Sequence, residues 1–200
     1  MHASELKEIP EEEFVVQGMP CPPGYSAQTV LHFGRMAVTA LLDYGATCNA
    51  MPEEVAMSII SHALKTYDDG NDPQYPICRM HKYRASRTMD GVAAGRPLEI
   101  RYGLVLRAEF VGAGKDSGPM RDLYYKILPK GTCSIAGCLV GCPVLDVRPH
   151  GLGHSVQHTT HCFEELGVAL PRLELARRGD YLSAMSVYLD TGGERCSALE

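Results

Sequence analysis

Two hundred residues, 45% hydrophobic and 22% charged, suit one globular domain with extensions or at most two small domains. A net charge of −5 and a pI near 5.9 give no global attraction to nucleic acid. No run approaches the ~18 apolar residues of a membrane span, and the acidic opening "MHASELKEIPEEEF" has no apolar core for a signal peptide, so neither nucleic acid nor membrane is an expected partner.

Residues 1–24 read as an arm: Glu11, Glu12 and Glu13 sit together, and Pro20, Pro22, Pro23 and Gly24 break regular structure. "QTVLHF" and "MAVTALLD" then form two β-rich runs around Gly34-Arg35, a hairpin over 29–42 whose second strand is apolar enough to be buried on both faces. Pro52-Glu53-Glu54 opens a helix, with Pro at the first helical position and acids at the positive end of the dipole. Val55, Ile59, Ile60, Ala63 and Leu64 give it one apolar stripe. "DDGNDP" (68–73) is a plain turn, since it lacks the alternate ligands and closing Glu of a calcium loop.

Residues 74–90 carry no clear pattern, and the basic run 79–87 ("RMHKYRASR") reads as a solvated face. "DGVAAGRP" (90–97) is a glycine-containing tip leading into a long alternating strand or strand pair over 98–112. "RDLYYKILP" (121–129) is a further strand, and "SIAGCLVGCPVLD" (134–146) is an apolar run punctuated by Gly137 and Gly141. Beyond 149 the pattern fits an amphipathic helix around 155–167 followed by a Pro; whether this part packs on the rest is open. Eight scattered Cys fit reduced thiols and a cytoplasmic or nuclear location.

The residue that asks for a reason is Asp43, a carboxylate at the end of a buried strand, where a charge is costly unless hydrogen-bonded or paired. Leu41-Leu42-Asp43-Tyr44-Gly45-Ala46 resembles the hydrophobic-hydrophobic-Asp-Thr/Ser-Gly-Ala motif of retropepsin-like aspartic proteases of retroviral and LTR-retrotransposon (Gypsy-type) origin. The preceding hairpin, the helix from 52, the glycine-bearing tip and the Leu139-Val140-Gly141 run follow in that family's order, with about a hundred residues between the two motifs.

The resemblance implies a mainly β, retropepsin-like acid-protease barrel over 25–148 with a few helices, and a C-terminal extension over 149–200. It implies an aspartic endopeptidase that needs no cofactor or metal and takes a peptide or polyprotein substrate. It implies a homodimer in which the two copies of Asp43 share a proton and activate water. The active-site loop would comprise Tyr44, Gly45, Ala46 and Thr47, with amides around 45–47 holding the carboxylate. Gly91, Val92, Ala93, Ala94 and Gly95 would form the flap.

Tyr44 departs from the motif, because the family's small hydroxyl reaches the partner subunit and a phenol is much larger. Two outcomes are open: a badly replaced inter-subunit contact, or a core reshaped around the ring in a domain that has become a catalytically degenerate binding module. A second "LDTGG" at 189–193 reads as a turn after the strand "SAMSVY". A third, different reading is a zinc module, since His150, His154, His158 and His161 recur at helical spacing beside Cys133, Cys138, Cys142 and Cys162. Against it, no CxxC occurs and Gly151 and Gly153 interrupt the run.

Overall fold

The computed structural model describes residues 27–89, 97–131, 137–147 and 151–173, and the backbone of the segments 187–191 and 194–196. Strands β1 (Gln28–Phe33) and β2 (Met36–Leu42) form the expected hairpin, with Gln28 opposite Leu41 and Phe33 opposite Met36. Its tight turn puts Gly34 at φ +61°, a left-handed conformation that costs glycine nothing. The interior-facing residues of both strands, among them Leu31, Phe33, Met36, Val38 and Ala40, are almost wholly buried.

A sharp loop leads from β2 into β3 (Ala50–Pro52) and then α1 (Glu53–Thr66). Pro52 stands one position earlier than the helical pattern suggested, ending β3 and serving as the N-cap. The two first-turn acids bind outside their own helix: Glu53 Oε2 accepts from the amide of Lys130 (3.2 Å) and Glu54 Oε1 from that of Gly131 (3.0 Å). Val55, Ala56, Ile59 and Ala63 face the core, whereas Leu64 is 67% exposed and leaves the expected stripe. The "DDGNDP" turn closes on itself, with Asp69 and Asp72 accepting from amides two residues on.

The patternless stretch 74–90 contains strand β4 (Ile77–Met89), which pairs antiparallel with β5 (Leu98–Glu109) as a long hairpin. Burial on a single edge leaves β4 mostly solvated, which erased any period from its sequence. Strand β6 (Met120–Leu128) lies antiparallel on β5, and β7 (Cys138–Val140) precedes the short α2 (Cys142–Leu145).

The strands close a ring. β1 joins β2, β2 runs parallel to β7, β7 lies antiparallel to β3, β3 runs parallel to β6, β6 joins β5, and β5 returns to β1 through Glu109 and His32. This is the mainly β closed barrel that the resemblance implies, with β7 threaded between the two strands that flank the Asp43 loop. A second apolar cluster (Ala50, Leu98, Ile100, Leu128, Leu139) lies apart from the main core, with Leu41, Ala46, Tyr83 and Met89 packed against it.

Residues 151–173 correct the expectation of a helix at 155–167. They form strands β8 (His154–Gln157), β9 (Thr160–Phe163) and β10 (Val168–Pro171) in an antiparallel sheet, with one 3-10 turn at Glu164–Leu166. Short apolar runs fit both periods, and the core decides between them. Phe163 and Leu170 are buried together with Leu152, and Phe163 meets Phe110 edge-on at 5.1 Å. The sheet is tied to β1 by Thr29 Oγ1 donating to Pro171 O (2.9 Å) and by the Leu173 amide donating to Gln28 O (3.0 Å). Strands β11 (Val187–Thr191) and β12 (Glu194–Cys196) form a hairpin whose first strand pairs with the start of β2. Among the described residues no helix is long and apolar enough to cross a membrane.

Candidate active site

Asp43 stands where β2 leaves the barrel. Its amide donates to Val140 O of β7 at 2.9 Å, continuing the parallel ladder one residue past Leu42. The chain then turns: the Ala46 amide donates to Asp43 O (3.1 Å), and the Gly45 amide donates to Asp43 Oδ1 at 2.7 Å. Of the amides expected to hold the carboxylate, Gly45 is the one that does so. Asp43 as a residue is half-buried, while Gly45 and Thr47 lie at the surface.

The turn of the second motif is fitted against the first. Ala46 O accepts from the Cys142 amide (2.9 Å), and the Gly141 amide donates to Asn49 Oδ1 (2.9 Å). A Cβ on Gly141 would come within 2.5 Å of Ala46 O and 2.8 Å of Cys48 O, both backbone atoms, so this crossing admits only glycine without displacement. Asn49, 5% exposed, also donates through Nδ2 to Tyr124 O (2.9 Å) and so stitches β7, the loop and β6 together. Sequence reading missed Asn49; its only signal was a polar side chain heading an apolar strand.

Tyr44 turns back onto its own chain. Its hydroxyl donates to His154 O at 2.7 Å and lies 2.8 Å from His154 Nδ1, while His154 Nε2 lies 3.0 Å from His161 Nδ1. With the phenol proton committed to the carbonyl, one consistent assignment has His154 Nδ1–H donating to the phenol oxygen and Nε2 accepting from His161. Burial holds the His154 imidazole below its ordinary value, which favours this neutral form. Partial burial, with the nearby Asp146 and Cys142, pushes the Tyr44 phenol above its ordinary value. Tyr44 as a whole remains 52% exposed, and the Cys142 thiol donates to Tyr44 O at 3.0 Å.

The candidate flap residues Gly91, Val92, Ala93, Ala94 and Gly95 lie outside the described residues. Their described neighbours on either side, Met89 and Leu98, lie near the Asp43 loop. Leu98 belongs to the apolar cluster that Leu41, Ala46 and Met89 pack against, and Cys48 Sγ meets Met89 Sδ at 3.9 Å. The end of β4 and the start of β5 therefore pack beside the Asp43 loop.

The two other sets of candidates separate. In β11 Asp190 lies opposite Arg195, and the pairing of Leu189 with Met36 puts it beyond the start of β2, about 26 Å along the strand from Asp43 at some 3.3 Å per residue. The shared helical face of His154, His158 and His161 is replaced by a hairpin that points His154 and His161 inward and puts His158 in an exposed turn. His150 and Cys133 lie outside the described residues, and among the described residues no three His, Cys, Asp or Glu side chains gather as an ion site.

No family model and no curated relative matches the chain in sequence. Among solved structures, the retroviral protease-like domain of Ddi1 from Leishmania major is similar at 11% identity and a TM-score of 0.42, over 73% of this chain and 92% of that one. The strand order of this chain itself makes a closed, mainly β barrel, with Asp43 at the exit of its second strand.

Proposed function

We propose that the chain is an aspartic-type endopeptidase of retroelement descent, acting on an extended peptide or polyprotein segment as a homodimer. The observation that carries this reading is the Asp43 loop, whose carboxylate is oriented by the Gly45 amide at 2.7 Å and whose backbone is clamped by the Gly141 turn. One domain offers one such carboxylate, so an isologous pair of chains is needed to bring two together. Adjacent carboxylates cannot both ionise cheaply, and they titrate as a pair. The unprotonated member takes a proton from water, which attacks the peptide carbonyl, and the protonated member polarises that carbonyl. The aspartic-protease dyad is a standard worked case of this behaviour.

The test is cleavage of an unfolded generic protein at mildly acidic pH, with Asp43→Asn in parallel. Activity should vanish in the variant, and specific activity of the native chain should rise with concentration until dimers saturate. Cleavage that survives Asp43→Asn overturns the reading.

One observation favours a second reading, a degenerate module that binds peptides without cutting them. The Tyr44 hydroxyl is satisfied by His154 of the same chain, where the family's small hydroxyl reaches the partner subunit. Under this reading neither the native chain nor Asp43→Asn cleaves, and both bind an extended peptide equally.

A further inference from the structure

Strand β4 is an outer strand. Among the described residues its one ladder partner is β5, so alternate backbone N–H and C=O groups along its other edge face away from the sheet. Such an edge is a template for another strand. Its chemistry is one-signed: Arg79, Lys82, Arg84 and Arg87 lie within nine residues that contain no acid, and all four are exposed. The described ion pairs are Arg101–Glu99 and Arg107–Asp122, and neither uses these cations. At the register shift between Lys82 and Arg87 the hairpin opens a groove of about 710 Å³ lined by Tyr83, Arg84, Arg87 and Lys126 among others. Large apolar groups are also left at the surface of this hairpin, Met80 at 64% and Tyr102 at 43% exposure.

The chain carries a segment of complementary chemistry. Residues 1–26 hold five glutamates against one lysine, and Glu11-Glu12-Glu13 run directly into Phe14-Val15-Val16. Three acids followed by an aromatic and two β-branched residues suit a basic edge strand with exposed apolar side chains. Its attachment point is also close. Ala27 O accepts from the Leu42 amide at 2.8 Å, one residue before Asp43, and Leu41 and Ala46 share a cluster with Tyr83 and Met89 of β4. Residues 18–26 can span about 30 Å at some 3.3 Å per residue.

We infer that the segment Glu11–Gln17 docks in cis on the free edge of β4, its glutamates meeting Arg84 and Arg87. This interaction surface is independent of any catalysis at Asp43. An extended acidic peptide from elsewhere would compete for the same edge, so the segment acts as a built-in occupant of it.

Amide hydrogen exchange on the full chain tests this. The β4 amides facing away from β5, and those of 14–17, should be protected in the native chain. Protection should fall by about tenfold or more in the triple variant Glu11→Lys, Glu12→Lys, Glu13→Lys. The variant Arg84→Glu, Arg87→Glu should lose it likewise, and combining the two sets should restore it, while β5 and β6 amides stay unchanged throughout. Equal exchange in the native and triple-Lys chains, or failure of the combined variant to restore protection, overturns the inference. Protection that disappears on dilution would put the segment on a second copy and overturn its assignment in cis.

Discussion

Tyr44 shows how a departure from a motif can be legible while its meaning is not. The sequence marks the residue as oversized for its position, yet its partner lies 110 residues away in a strand that reads as a helix. The hydroxyl bridges the loop to His154 through two contacts, so its removal leaves polar groups of His154 short of a partner. Tyr44→Phe keeps the ring packing on His154 and isolates that loss, at about 0.5–1.5 kcal/mol per hydrogen bond. Tyr44→Thr gives up the ring contact as well and should melt lower than Tyr44→Phe, the opposite of what a restored inter-subunit hydroxyl would do. A thermal melt of Tyr44→Thr above that of the native chain would contradict the His154 anchor. The same anchor has a pH signature. Because burial lowers the folded-state value of His154, the unfolded chain takes up the proton first as pH falls. Its contribution to stability is complete above about 6.5 and declines below that pH. His154→Gln should flatten this acid-side decline in denaturant midpoints measured between neutral and mildly acidic pH.

At the level of elements, the strands with one clear inner face were readable, and those whose burial depends on distant partners were not. β1 and β2 alternate or run apolar because the barrel interior fixes them, and α1 shows its stripe for the same reason. β4 lost its pattern because it borders solvent, and β8 and β9 were misread because His154, His158 and His161 recur at helical spacing, while the hairpin that forms buries His154, His161 and Phe163. The two motif turns were legible singly, and their mutual fit required the fold. Gly141→Ala drives a methyl group into the carbonyls of Ala46 and Cys48, which cannot swing aside as a side chain would. Its cost should reach at least the ~1–3 kcal/mol typical of overpacking, seen as a lower urea midpoint with activity, where present, falling in step. A Gly141→Ala chain of native stability would mean that the two turns are separable.

For the molecule as a whole, the ring of six strands and the sheet of 151–173 share one hydrophobic core. Phe163 is 1% exposed and contacts Phe110 across that junction, so Phe163→Ala should destabilise the entire barrel by about 3–5 kcal/mol. A single cooperative transition at a lower midpoint is the expected result; two separate transitions would make the C-terminal sheet an independent unit. The order of neighbours around β2 has a mechanical consequence. This strand is held by β1 along its whole length, by β11 over Met36–Val38 and by β7 over Ala40–Leu42. Tension applied at Asp43 along the strand would load its ladders to β1 and β7 together in shear, a geometry in which many hydrogen bonds must yield at once. The carboxylate is thus mounted on a strand held along both edges, whereas β4, among the described residues, is held along one, so yielding to admit a bulky chain falls to β4 first.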